Sequence, residues 1–120
     1  MAKIYYEKDA DLKVLKGKKV GVLGYGSQGR AHALNLRDSG IDVIVSELEG
    51  TNSFNTAKKD GFIPKPIADV TKQSDVLMVL VQDNVQPVVY KNAIEPNLKE
   101  GMALGFAHGF SILFNQIVPL

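Results

Sequence analysis

The chain contains no cysteine. A disulfide framework, a thiolate nucleophile and any cysteine-based metal site are thereby excluded, and the composition fits a reducing compartment. Long hydrophobic runs are also missing. The longest uninterrupted apolar stretch, Val76 to Val81, has six residues, far short of the roughly 20 needed to span a bilayer. The segment Met1 to Glu7 lacks the apolar centre of a signal peptide. Nor is there an excess of one charge: 14 Lys and Arg against 13 Asp and Glu give a formal net charge of +1, with no electrostatic footprint for nucleic acid or an anionic membrane. The lysines are scattered, with Lys16, Lys18 and Lys19 as the one close group, and aromatic residues do not interleave with them as a base-stacking platform would. No internal repeat or low-complexity segment occurs. The sequence reads as a cytoplasmic, soluble protein that partners neither nucleic acid nor membrane.

What is present is ordinary in amount and specific in order. At 120 residues, 45% apolar and 22% charged, the chain is one domain (residues 1–120) large enough to bury a core. Its most informative stretch runs from Lys19 through Gly24-Tyr25-Gly26-Ser27-Gln28-Gly29. A short apolar strand enters a Gly-x-Gly-x-x-Gly turn and an Ala/Leu-rich helix leaves it, the arrangement of a dinucleotide pyrophosphate site. Gly24 permits the sharp turn, Gly26 leaves the backbone bare for the phosphates, and Gly29 lets helix and strand close up. The helix points its free N–H groups and positive dipole end at the anion.

An acid stands at the expected distance. Glu47 lies just past the next strand, 18 residues beyond Gly29, where the fingerprint places a carboxylate about 20 residues on to accept hydrogen bonds from the adenosine ribose hydroxyls. A carboxylate there also repels a 2′-phosphate and so leans the cofactor toward NADH. The alternatives are that Glu47 and Glu49 are solvated loop charges, or that Thr51, Ser53, Lys58 and Lys59 cradle a 2′-phosphate.

Strand and helix alternate from Lys18 onward, after a polar start in which Leu12 and Leu15 are the candidate anchors. The pattern predicts strands at Val20–Leu23, Asp42–Val45, Phe62–Ile63, Asp75–Val81 and Met102–Phe106. Helices are predicted at Ser27–Ser39, with Ala31, Ala33, Leu34 and Leu36 as the apolar face, at Ser53–Asp60, at Ile67–Ser74, and from an Asp83 or Asn84 cap to about Ile94. His108 to Leu120 begins as a loop and holds a short apolar helix or strand. The continuously apolar run before Gln82 suits a strand covered on both faces. The expected fold is α/β: a doubly wound, Rossmann-type parallel sheet, truncated after about five strands.

In such a sheet the strands' carboxyl ends line one crevice. It would gather residues 25–28, 47–53, 82–85 and 107–110. Gln82, Asp83, Asn84 and Val85 can approach the ribose and nicotinamide end, or Asp83 and Asn84 can serve as helix caps alone. His108, flanked by Ala107 and Gly109, is the candidate for chemistry, because imidazole titrates near neutral pH and can bind a substrate oxygen or pass a proton. A structural histidine is the alternative there, and is the expected reading of His32. No metal ligand set is apparent.

The run Gly24 to Gly40 closely resembles the nucleotide-binding domain of the ketol-acid reductoisomerases. So do Asp83-x-x-Gln86, Ile94 to Gly101, Phe106-Ala107-His108-Gly109-Phe110 and Gln116-Ile117-Val118-Pro119. The resemblance covers nearly the whole chain. It implies an NAD(P)H- and magnesium-dependent enzyme of branched-chain amino acid (isoleucine and valine) synthesis. That family isomerises 2-acetolactate or 2-aceto-2-hydroxybutyrate, both small 2-hydroxy-3-keto acids, by alkyl migration and reduces the product to a 2,3-dihydroxy acid. Carried over by motif, Tyr25 to Gln28 would contact the pyrophosphate, Gln82 to Val85 would flank the nicotinamide half, and His108 would sit beside substrate. Thr51 and Ser53 stand where the family has serines that hold a 2′-phosphate.

The departures from the family are informative. Leu48 replaces a common arginine and Glu47 an apolar residue, and both changes favour NADH over NADPH. Gln82 stands where proline is common, and Ser111, Leu113 and Asn115 replace asparagine, histidine and glycine. The family's helical C-terminal domain, with the carboxylates that hold its Mg²⁺ ions, is absent from this sequence. The chain alone is therefore expected to bind dinucleotide without turnover, and to self-associate or pair with a missing C-terminal portion through an open sheet edge. Another hydroxy-acid dehydrogenase and a free-standing dinucleotide-sensing module are the competing readings.

Overall fold

The computed structural model describes all 120 residues. After two 3₁₀ turns, Glu7–Asp9 and Leu12–Leu15, the elements are β1 (Lys19–Leu23), α1 (Ser27–Asp38), β2 (Asp42–Ser46), α2 (Asn52–Lys59), α3 (Ile67–Gln73), β3 (Val76–Val79), α4 (Gln86–Val89), β4 (Ala103–Phe106) and α5 (Phe110–Leu113). A π-helical turn, Tyr90–Ile94, and a 3₁₀ turn, Glu95–Asn97, continue α4.

The four strands are all parallel in the order β2-β1-β3-β4, with Val22 opposite Val45 on one side and Met78 on the other. From β1 the chain crosses to β2 on one side, then returns through α2 and α3 to enter β3 on the other. The order therefore reverses between β1 and β3, and their carboxyl ends diverge into the crevice where such sheets hold ligands. No helix is long and apolar enough to cross a membrane.

Both sheet faces carry helices because strand residues alternate between two cores. Leu23, Leu77 and Val79 pack with Val70, Tyr90, Ile94 and Ile117 on one face. Val22 and Val45 pack with Tyr25, Ala33, Ala57 and Phe62 on the other. Gly21 is needed in β1 because any Cβ would run into Val70 and Ser74 of the α3 layer and Leu77 of β3.

Several expectations need correction. Phe62–Ile63 is not a strand, so the sheet has four strands where five were expected. Phe62 turns into the α1–α2 core, edge-on to Tyr25 at 5.8 Å between ring centres, and Ile63 is 81% exposed. The segment touches the sheet at Lys65, whose N–H donates to the Val45 carbonyl (3.0 Å) in a single bridge beside Ser46. Pro64 and Pro66 on either side supply no N–H, so the ladder cannot extend.

The strand expected to reach Val81 ends at Val79, although the Leu80 N–H still donates to the Leu23 carbonyl (2.9 Å). Only one of its faces is sealed: Leu77 and Val79 are buried, whereas Val76 and Met78 are half-buried and line a cleft of about 410 Å³ with Leu12, Leu15, His32 and Leu36. On α1, Ala33 is buried but Ala31 faces solvent. Neither Asp83 nor Asn84 caps the following helix, which starts at Gln86 behind Val85 without a side-chain cap.

Candidate functional site

The glycine turn is built as its spacing requires, and each glycine answers to a different constraint. Gly24 has φ +95°, a conformation costly for a side chain, and its N–H donates to the Ser46 carbonyl (2.9 Å), tying the turn to β2. A Cβ at Gly29 would collide with the Gly24 carbonyl oxygen, so α1 can close on β1 only with glycine there. Gly26 has ordinary backbone angles and nothing within 4 Å of where a Cβ would stand. Fold packing therefore leaves its bare side open, at the head of the 12-residue helix α1. The first-turn N–H groups there have no partner inside the helix, and no carboxylate occupies that turn to compete for them.

Tyr25 contributes backbone to this turn, not its ring. The side chain is 2% exposed and faces away into the α1–α2 core, its hydroxyl donating to Asp60 Oδ2 (2.7 Å). Arg30 closes on the same carboxylate, Nε to Oδ2 at 2.8 Å and Nη2 to Oδ1 at 3.2 Å. Burial first, then the bond to Asp60, push the Tyr25 phenol up to about 12. The Arg30 bond first, then that of Tyr25, hold Asp60 down at about 2. Arg37 donates to the Asp60 carbonyl and lies over the Phe62 ring, 4.6 Å from its centre. This clamp joins the glycine turn to the end of α2. Sequence reasoning missed Asp60 and Arg30, which lie in different helical segments from one another.

One end of the crevice is formed by the loop after β2. Glu47 is not a solvated loop charge: Oε2 accepts the Tyr25 N–H (2.7 Å) and Oε1 the Leu48 N–H (2.9 Å). Leu48 projects into solvent. Thr51 is the cap of α2, accepting the Phe54 N–H (3.1 Å) and donating to the Leu48 carbonyl (2.7 Å). Its one donor is spent inside the chain. Ser53 is half-buried in the first turn, whereas Lys58 and Lys59 lie at the opposite end of α2.

At the other end, Gln28, Gln82, Asp83 and His108 line one hollow of about 360 Å³, together with Gln86 and the end of β3. Asn84 and Val85 are exposed and do not line it. His108 Nδ1 accepts the Phe110 N–H (3.1 Å) and lies 3.9 Å from Asp83 Oδ2. That acceptor role places the proton of a neutral imidazole on Nε2. Nowhere do three or more His, Asp or Glu side chains come together to hold a metal ion.

Fold and crevice together define a Rossmann-type dinucleotide-binding domain. Residues 14–120 match the family described as acetohydroxy acid isomeroreductase, NADPH-binding domain, and the chain belongs to that family. It is 56% identical over 119 residues to ketol-acid reductoisomerase (NADP(+)) of Clostridioides difficile strain 630, covering 99% of this chain and 36% of that protein. An NADH-preferring ketol-acid reductoisomerase from an uncultured archaeon superposes with TM-score 0.94 at 44% identity, covering 99% of this chain and 38% of that one. A semialdehyde dehydrogenase NAD-binding protein from Cupriavidus necator shares the fold, with TM-score 0.74 at 18% identity over 86% of this chain and 37% of that one. The chain thus spans little more than a third of the length of these relatives.

Proposed function

We propose that this chain is the NAD(P)H-binding part of a ketol-acid reductoisomerase, with NADH as the preferred cofactor. The observation that carries the reading is the open side of Gly26: the position is glycine although nothing in the fold fills the space of a side chain, as expected where a phosphate must reach the backbone. The N–H groups of Gly26, Ser27 and Gln28 would hold the pyrophosphate. Glu47, already fixed on the Tyr25 N–H, has lone pairs left for the ribose hydroxyls and a charge that repels a 2′-phosphate. Leu48 offers no cation to offset that repulsion, and Thr51 no free donor.

In this reading Gln82 and Asp83 flank the nicotinamide end, where bound cofactor supplies hydride. His108, whose neutral imidazole keeps its proton on Nε2 because Nδ1 accepts the Phe110 N–H, donates to an oxygen of a 2-hydroxy-3-keto acid such as 2-acetolactate. The product would be a 2,3-dihydroxy acid of branched-chain amino acid synthesis in the cytoplasm. No step involving magnesium is assigned to residues of this chain. Because no strand pairs with the outer side of β4, that edge is the proposed place for self-association or for pairing with the remainder of a family enzyme.

Titrating NADH and NADPH against the chain by fluorescence tests the reading. Saturable binding with NADH the tighter ligand is expected, and a folded chain that binds neither overturns it. Incubation of the chain alone with acetolactate, NADH and Mg²⁺ is expected to give no turnover. Addition of a separately expressed C-terminal portion of a relative is expected to restore it.

A further inference from the structure

The floor of the hollow beside His108 holds a carboxamide that the cofactor reading does not use. Gln86 is 3% exposed, and every part of its side-chain amide is engaged. Nε2 donates to the Val81 carbonyl (2.9 Å) and to Asp83 Oδ1 (3.2 Å), and Oε1 accepts the Ser111 hydroxyl (2.9 Å), itself fully buried. The amide orientation is dictated by its partners, since a backbone carbonyl can only accept.

These contacts form a chain that leads to His108. Gln86 holds one oxygen of Asp83, whose other oxygen lies 3.9 Å from His108 Nδ1, beyond hydrogen-bond distance. His108 is fastened to the Phe110 N–H, one residue before Ser111, which returns to Gln86. Residue 86 therefore joins the loop after β3 to the start of α5, the two segments that would face each other across a bound nicotinamide. The imidazole is 73% exposed, so burial does little to fix it.

We propose that Gln86 is a positioning residue that, through Ser111 and the segment it anchors, sets the place and orientation of the His108 imidazole. The proposal rests on the reading of His108 as the substrate-facing group. Buried amides of this kind are worth more as connected networks than as single bonds, because each loss strands another polar group.

The test is NMR of the 120-residue chain without nucleotide, so its outcome is independent of cofactor binding. His108 Hα–Hβ couplings should report one side-chain rotamer in the unaltered chain, and the Phe110 amide should be protected from exchange. Gln86→Met keeps the volume and removes the hydrogen bonds. Gln86→Glu keeps an acceptor for Ser111 but cannot donate. Both are expected to average the His108 rotamers and to speed Phe110 exchange about tenfold, while the amide shifts of β1 stay in place. If either variant fails to fold, Ser111→Ala is expected to give the same averaging. A His108 that is already averaged in the unaltered chain, or unmoved in the variants that fold, overturns the positioning role. NADH binding that persists in that case leaves the cofactor reading standing.

Discussion

The Glu47 carboxylate accepts the backbone N–H of Tyr25 at 2.7 Å, across 22 residues of sequence. The group expected to select the cofactor is thus also a strut of the turn that would hold the pyrophosphate, because Tyr25 sits between the first two glycines of the motif. Specificity and loop geometry therefore depend on one side chain.

Glu47→Arg should act on both. Removing a charge that repels a 2′-phosphate and adding one that attracts it should raise the NADPH-to-NADH affinity ratio about tenfold or more. Two N–H groups, those of Tyr25 and Leu48, lose their acceptor, so stability should also fall by about 1–2 kcal/mol. Paired fluorescence titrations and a denaturant melt check the two effects. An unchanged ratio removes Glu47 from the ribose site.

The glycines of the turn should separate into two kinds. Gly26→Ala meets nothing within 4 Å, so its melting temperature should stay within a few degrees of the unaltered chain while NADH affinity falls about tenfold or more, the new methyl standing where phosphate must approach. Gly29→Ala drives a methyl into the Gly24 carbonyl and should cost about 2–3 kcal/mol of stability through forced separation of α1 from β1. Calorimetry and NADH titration of the pair distinguish them. Equal destabilisation by both would refute the assignment of Gly26 to the ligand.

Thr51 and Ser53 should likewise part. Thr51→Ala removes a helix cap and should cost about 1 kcal/mol with little change in the NADPH-to-NADH ratio. Ser53→Ala should leave stability nearly unchanged and weaken NADPH more than NADH, since its hydroxyl is the one free to meet a 2′-phosphate. Melts and titrations of both variants decide the matter.

Local signals carried much of this architecture. The Gly-x-Gly-x-x-Gly turn, the helix bounds at Ser27 and Ile67 and the acid after β2 follow from spacing and periodicity, which need only near neighbours in sequence. What escaped depends on partners brought together by folding. Phe62–Ile63 has a strand's composition, yet Pro64 and Pro66 leave Lys65 to make a single bridge. Thr51, three residues before the Phe54 amide it caps, carried a cap signature that its place in a phosphate-like cluster obscured. Tyr25 lies 35 residues from Asp60 and Gln86 lies 25 from Ser111. No periodicity announces such pairs.

The clamp around Asp60 should shape the pH dependence of stability at both extremes. Asp60 is held at about 2 in the folded chain against an ordinary 3.8. A group depressed on folding favours the folded state above its unfolded value and loses that contribution as it takes up a proton. The contribution should therefore disappear as pH falls from near 4 toward 2, and Asp60→Asn should flatten this limb. Tyr25 is raised to about 12 from 10, so its contribution is complete below pH 10 and is lost as pH climbs toward 12. Tyr25→Phe should remove that alkaline limb, and should also weaken the acid limb because the phenol is one of the two donors that hold Asp60 charged. Melting temperatures of the three proteins across pH 2 to 12 provide the check. Acid limbs that superpose for the unaltered chain and Asp60→Asn would show that the Tyr25–Asp60–Arg30 contact does not persist in solution.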